Sequence, residues 1–212
     1  MDISNQIDEV LAKHEGLIYH SEDSTLSGEL VLPEGDSYEI RIVLGNYPQF
    51  FPTVYETGGR IPVKMDRHMY TDTGSCCFTT SAKSQILLKT KITSLLKFVD
   101  EIVVRYLENN SFYEINGKYC YGEYNHGSMG VVQSYQDVLG ITDIKIIGGL
   151  MMQRILSKKL RMKDLCYCNS NTSLKKCNNG LHCNNYRLFR MIDKVVLYND
   201  LHHLENTLKN KI

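Results

Sequence analysis

Ile3, Ile7, Val10 and Leu11 recur at helical spacing and predict an opening helix over about 3–14, stopped by Gly16. The period then shortens. Leu26, Leu30 and Leu32 lie on one side of an alternating run that ends at Pro33-Glu34-Gly35-Asp36, a strong turn signal. Tyr38, Ile40, Ile42 and Leu44 then alternate with Glu39, Arg41 and Val43, so the two runs read as an antiparallel hairpin. A proline-punctuated crossing over 45–52 leads to a short strand at Thr53–Glu56. Residues 57–86 show little periodicity, and a loop of that length in a compact domain is usually functional or disordered. From about Lys91 the helical period returns through Ile92, Leu95, Leu96, Val99, Ile102, Val103 and Tyr106. Further helices are predicted at about 129–139 and 143–160, with a last one at about 186–210. A Cys/Asn/Lys-rich stretch, 164–185, separates the final two and has almost no apolar content.

Strands followed by helices predict an α+β fold and not a doubly wound sheet. The pattern divides into a domain over 1–140 and a helical extension over 141–212 that carries the 164–185 segment. No glycine-rich nucleotide cradle follows a strand.

Composition sharpens this picture in two places. The 24 basic and 24 acidic side chains cancel, but residues 1–75 hold 5 basic and 13 acidic groups (net −8), while 154–190 hold 9 and 1 (net +8). No apolar run is long enough to cross a bilayer, and the first residues lack the basic-then-apolar pattern of a secretory signal. Seven cysteines, an odd count, then point to a cytoplasmic protein with free or metal-bound thiols.

The irregular loop contains His68-Met69-Tyr70-Thr71-Asp72-Thr73-Gly74-Ser75-Cys76-Cys77. A loop thiol with a nearby His is a candidate nucleophile, whereas buried cysteines commonly act as small hydrophobes. The order of features decides: opening helix, meander, Tyr47-Pro48, Pro52, His68, Gly74-Ser75-Cys76-Cys77, helix. This order, over about 1–110, resembles the ubiquitin-conjugating-enzyme (UBC) family in a bacterial form. The resemblance implies a UBC-like antiparallel meander flanked by helices, with Cys77 at the thioester position. Cys76 is a minor alternative nucleophile, and His68 matches the His of the family's His-Pro-Asn motif, holding the loop. Met69 and Tyr70 replace the Pro and Asn of that motif, so Tyr70 becomes a candidate donor. Asp72 and His126 read as solvated or structural groups. The stretch from Gly117 to Gly127 looks more like bacterial variants than eukaryotic ones.

Cys166-x-Cys168, Cys177 and then His182-Cys183 bring soft and borderline ligands close together in sequence, which suits tetrahedral Zn²⁺ in a structural role. A metal would also supply folding energy that a polar segment lacks. The first three cysteines, with Lys175-Lys176-Cys177, resemble the SEC-C zinc motif. Asn178 stands where that motif carries its last ligand, so the fourth ligand shifts to Cys183, with His182 as the alternative.

The family resemblance implies thioester formation through Cys77 with the C-terminus of a protein partner, and transfer to a lysine. The partner expected is a cGAS/DncV-like nucleotidyltransferase in a CBASS antiphage operon, or a ubiquitin-like protein. A non-catalytic UBC-fold scaffold is the alternative. Nucleic-acid binding by the basic segment is a third, less favoured reading, and it would be strongly salt-dependent.

Overall fold

The computed structural model describes residues 2–120 and 125–209. It is an α+β structure, and its contacts separate into two compact units: residues 1–79 with 87–123, and residues 80–86 with 124–212. The boundary near 123/124 differs from the expected one at 140. The helix at Gly127–Leu139 packs its buried Val132, Tyr135 and Leu139 in the second unit.

The first unit opens with α1 (Ile3–Lys13), whose Ser4 N–H donates to the Asp2 carboxylate. An antiparallel meander follows: β1 (Leu17–His20), β2 (Thr25–Val31), β3 (Ser37–Val43) and β4 (Thr53–Glu56), in that order across the sheet. Along β3 the expected alternation holds, with Tyr38, Ile40 and Ile42 buried and Glu39 and Arg41 exposed. Gly28, paired with Leu17 and at φ 135°, is required where β1 meets β2, because a Cβ there would land on the Gly16 carbonyl oxygen. The Tyr47–Pro48 peptide is cis.

The sheet is covered by α3 (Leu95–Phe98), a π turn (Val99–Val104) and α4 (Arg105–Asn116), which run on from one another. Ser94 caps α3 by accepting the Lys97 N–H. Leu95, Phe98, Val99, Val103 and Leu107 join Ile7 and Val10 of α1 over Leu26, Leu30, Ile40 and Ile42 in one core. The expected continuous helix from Lys91 therefore begins at Leu95 and is interrupted once. Before it lies α2 (Ser81–Thr90), which begins within the stretch expected to be irregular, 57–86, and runs four residues past it.

The second unit holds α5 (Gly127–Leu139), α6 (Ile144–Ile155), α7 (Leu181–Phe189) and α8 (Lys194–Lys209). The expected single C-terminal helix is two, broken between Phe189 and Lys194. At the break Asp193 N–H donates to Gln85 Oε1 at 2.8 Å, and Gln85 Nε2 donates to the Asp193 carboxylate at 2.9 Å. The segment 164–185 is less polar in its packing than in its composition: Tyr167 and Leu174 are buried in the helical core with Cys166 and Cys177. Among the described residues no helix is long and apolar enough to cross a membrane.

Candidate functional site

The loop between β4 and α2 carries the two adjacent thiols. It runs through a 3-10 turn (Met65–Arg67) and then His68 in the left-handed region, at φ 51°. It then folds back on itself. Met69 and Cys76 form an isolated antiparallel bridge, Tyr70 N–H donates to the Ser75 carbonyl at 2.8 Å, and Gly74 N–H donates to the Tyr70 carbonyl at 2.7 Å. Gly74, at φ 71°, permits that reversal. The returning arm is then fixed to the frame: Cys76 N–H donates to the Val54 carbonyl at 2.8 Å and Cys77 N–H to the His68 carbonyl at 2.7 Å.

Successive side chains on an extended arm point to opposite sides, and the two thiols separate accordingly. Cys76 faces the core and is 6% exposed. Burial pushes its thiol up to about 12, although the Tyr106 hydroxyl hydrogen-bonds it. Cys77 is half-buried. Burial raises its thiol too, while a hydrogen bond from Tyr70 favours the thiolate. Cys77 is thus the more accessible of the two thiols.

Beneath the loop, Tyr106 of α4 donates to the His68 carbonyl at 3.0 Å and also contacts the Arg67 carbonyl and Met69 Sδ. His68 therefore supports Cys77 through its backbone, and its ring lies 5.2 Å from that of Tyr119. Arg67 is buried, donates to Asn110 Oδ1 at 2.9 Å and sits 4.3 Å over the Tyr113 ring. Periodicity places Tyr106 on the covering helix and leaves Arg67 in the irregular stretch, but gives no hint that either supports the thiol loop. His126 stands at the N-cap of α5. Glu123 and Tyr124, part of the stretch with a bacterial look, lie outside the described residues.

The second unit holds the other candidate centre. Cys166 Sγ, Cys168 Sγ, Cys177 Sγ and a His182 ring nitrogen all lie within 4.8 Å of one another. His182 Nδ1 is 3.4 Å from Cys166 Sγ and 3.3 Å from Cys177 Sγ, and Cys168 Sγ is 3.5 and 3.4 Å from the same two sulfurs. Thiolates about 2.3 Å and an imidazole about 2.0 Å from a tetrahedral ion lie roughly 3.5–3.8 Å apart. The cluster is close to that spacing, and its donor chemistry suits a metal.

The fourth member is therefore His182 and not Cys183, the residue favoured on sequence. The reason is helical phase. Neighbouring residues in the first turn of α7 point about 100° apart. His182 turns back over Tyr167, on whose ring it stacks at 5.2 Å. Cys183 turns away, with its thiol 3.2 Å from Met162 Sδ, into a cleft lined also by Leu160, Leu174 and Tyr186.

The loop between the cysteines is shaped by Asn169 and Asn171, both left-handed at φ 59° and 57°, with Asn178 and Asn179 likewise at φ 48° and 51°. Asparagine tolerates this region better than most residues. Against the cost of burial, hydrogen bonds from Ser170, Cys177 and Cys166 pull Cys168 down to about 6. Burial pushes Cys166 up to about 12, with the facing thiols Cys168 and Cys177 adding to it. Four convergent donors could hold a metal ion, and a site with four protein ligands would be closed.

Comparison of the chain with protein-family models, with curated proteins and with solved structures gives no match.

Proposed function

We propose that the first unit is a ubiquitin-conjugating-like acyl carrier. The observation that carries the reading is the contrast between the paired thiols. One loop, fixed at both ends by backbone hydrogen bonds, buries Cys76 and leaves Cys77 open to an incoming group. The order of α1, meander, crossing, loop and covering helix supports it, because it is the order in which the sequence resembles the UBC family.

In this reading the Cys77 thiolate attacks the activated carbonyl at a partner's C-terminus, the previous leaving group departs, and a thioester forms. A lysine amine then attacks the thioester carbonyl. The C–S bond breaks, Cys77 leaves as thiolate, and the amine's proton passes to solvent. The partner proposed is a cGAS/DncV-like nucleotidyltransferase, or a ubiquitin-like protein, in bacterial antiphage defence. His68 and Tyr106 hold the loop and do not move a proton.

The second unit is proposed to bind one structural Zn²⁺ through Cys166, Cys168, Cys177 and His182, the ion fixing the 164–185 segment to the helices.

Co-expression with the adjacent operon gene, followed by a non-reducing gel and mass spectrometry, tests the carrier. The expected result is a thiol-sensitive adduct on Cys77, lost in Cys77→Ala, kept in Cys76→Ala and converted to a thiol-resistant oxyester in Cys77→Ser. An adduct that survives Cys77→Ala overturns the assignment. Burial of Cys77 favours the neutral thiol and so lends weight to a non-catalytic scaffold. Co-purification of the partner with no covalent adduct supports that second reading.

A further inference from the structure

In the second unit one face of α7 borders a cleft of about 150 Å³. Cys183, Tyr186, Arg187 and Arg190 follow one another along it at i, i+3, i+4 and i+7, the spacing of one helical stripe. Leu160, Met162 and Leu174 form the facing wall. That wall is fixed by its backbone. Leu160 N–H donates to the Tyr186 hydroxyl at 3.0 Å, Lys175 N–H to the Met162 carbonyl at 3.0 Å, and Leu174 N–H to the Asp164 carbonyl at 2.9 Å.

The cleft divides by chemistry. Its floor is apolar: Leu174 and Tyr186 are buried, and the Cys183 thiol meets the Met162 thioether at 3.2 Å. Its mouth is cationic, because Arg187 and Arg190 are exposed. Among the described residues no carboxylate lines it. Asp164, the one acidic residue in 154–190, is taken up by Arg161, whose N–H and guanidinium both reach its carboxylate. The nine basic residues of that stretch therefore leave the cleft in a positive field.

An apolar cavity of this volume accepts a benzene-sized group, so the floor has room for one leucine or phenylalanine side chain. Guanidiniums at the mouth suit carboxylates on either side of such an anchor. A nucleic acid finds less here. Unpaired bases bind by stacking on open aromatic faces. The one ring among the lining residues, Tyr186, is 5% exposed and packs against Tyr167 and Phe189.

We propose that this cleft docks a protein partner through a single apolar side chain set in an acidic segment. The side chain fills the floor, and its flanking carboxylates pair with Arg187 and Arg190. The site belongs to the second unit and needs neither Cys77 nor a thioester. It gives the basic stretch an anionic partner of a defined kind, recognised by an apolar anchor as well as by charge.

The test uses the full chain and short fluorescein-labelled peptides, read by fluorescence anisotropy. One peptide carries a leucine among aspartates and glutamates, a second has alanine in place of the leucine, and a third has the leucine among lysines. The first is expected to bind, the second to bind roughly 10-fold or more weakly, and the third not to bind. Met162 is 41% exposed, so it can be replaced without emptying the core. Met162→Glu, which sets a carboxylate in the cleft, should weaken the leucine peptide roughly 10-fold or more, whereas Met162→Lys, which removes the same thioether, should stay within a few-fold of wild type. Arg187→Gln with Arg190→Gln should weaken the leucine peptide and flatten its salt dependence. Thermal melting close to wild type marks each variant as folded. Equal affinity for the leucine and alanine peptides reduces the site to charge alone and overturns the proposal. Equal binding by Met162→Glu and Met162→Lys overturns it too, as does a wild-type chain that binds none of the peptides. Displacement of the leucine peptide by oligothymidylate at a lower concentration than by the unlabelled peptide makes the cleft a nucleic-acid site and likewise overturns it.

Discussion

Arg67 is a cation 8% exposed whose Nε has no hydrogen-bond partner among the described residues, held by Asn110 and by the face of Tyr113. A buried charge with no carboxylate beside it among the described residues is costly unless its surroundings compensate, and here the compensation is an amide oxygen and a ring quadrupole. Its backbone carbonyl lies at the foot of the thiol loop, against Tyr106. Truncation removes the packed stem and leaves Asn110 Oδ1 without its donor. Arg67→Ala is therefore expected to destabilise the first unit by about 3 kcal/mol in urea unfolding. Arg67→Met, which keeps the stem and removes the charge, should cost less. In Arg67→Ala the iodoacetamide reactivity of Cys76 should rise, because the loop loses its footing before the sheet does. At this scale the sequence reveals much about identity and little about support. Cys77 and His68 as candidates, and the three cysteines of the cluster, are visible as residue types in a pattern. Arg67, Tyr106 and the choice of His182 over Cys183 depend on which way a side chain turns, which spacing along the chain does not encode.

Among the elements, the long-period and period-2 segments are legible and the short ones are not. β3 and β4 fall where alternation and turn residues place them, since their apolar side chains line one face of a half-covered sheet. β1 escapes because only Leu17 of its four residues is buried, so it has no period to read. α2 escapes for the opposite reason. Ala82, Ser84, Gln85 and Ile86 are all buried, so polar and apolar positions share its inner side. The helix break at residues 190–193 is likewise set by a partner distant in sequence, the Gln85–Asp193 pair.

A second distant pairing joins three elements. Gln6 Oε1 of α1 accepts the Tyr47 hydroxyl at 2.7 Å and the Leu95 N–H, at the start of α3, at 2.9 Å. Gln6→Leu keeps the volume but leaves a buried N–H and a phenol unpaired. A loss of about 2 kcal/mol is expected in chemical denaturation, with faster hydrogen exchange at Leu95 as the local signature.

For the whole molecule, the neutral total conceals an acidic first stretch and a basic stretch about the metal cluster. The two units also rest on different physics. The first has a sheet-and-helix core of apolar side chains. The second builds Cys166 and Cys177, members of the cluster that could hold a metal, into the same core as Tyr167 and Leu174, so a bound ion would be coupled to packing. Chelation with EDTA is expected to raise hydrogen exchange across 164–189 while leaving the meander protected, and metal analysis should find about one zinc per chain beforehand. Because thiolates bind metal and thiols do not, acidification should release the ion and reproduce the chelator's effect, with release increasing as pH falls. Equal loosening of the meander and the cysteine segment would count against a separate metal-dependent core. The division into units near 123/124 was only half legible. α5 reads as a helix from its own period, but its allegiance is set by α7 and α8, which lie more than forty residues further along the chain.

The four left-handed asparagines around the cluster bear on how such a module travels through sequence space. What residues 169, 171, 178 and 179 need is a backbone conformation and not a side chain. Glycine satisfies the same need at least as well, so drift between Asn and Gly at these sites is nearly silent, whereas a β-branched residue is blocked. Kindred modules can therefore keep their fold while losing the glycines by which a motif is ordinarily spotted. The mark that persists is the spacing of three thiols and an imidazole, with small, left-handed-tolerant residues between them.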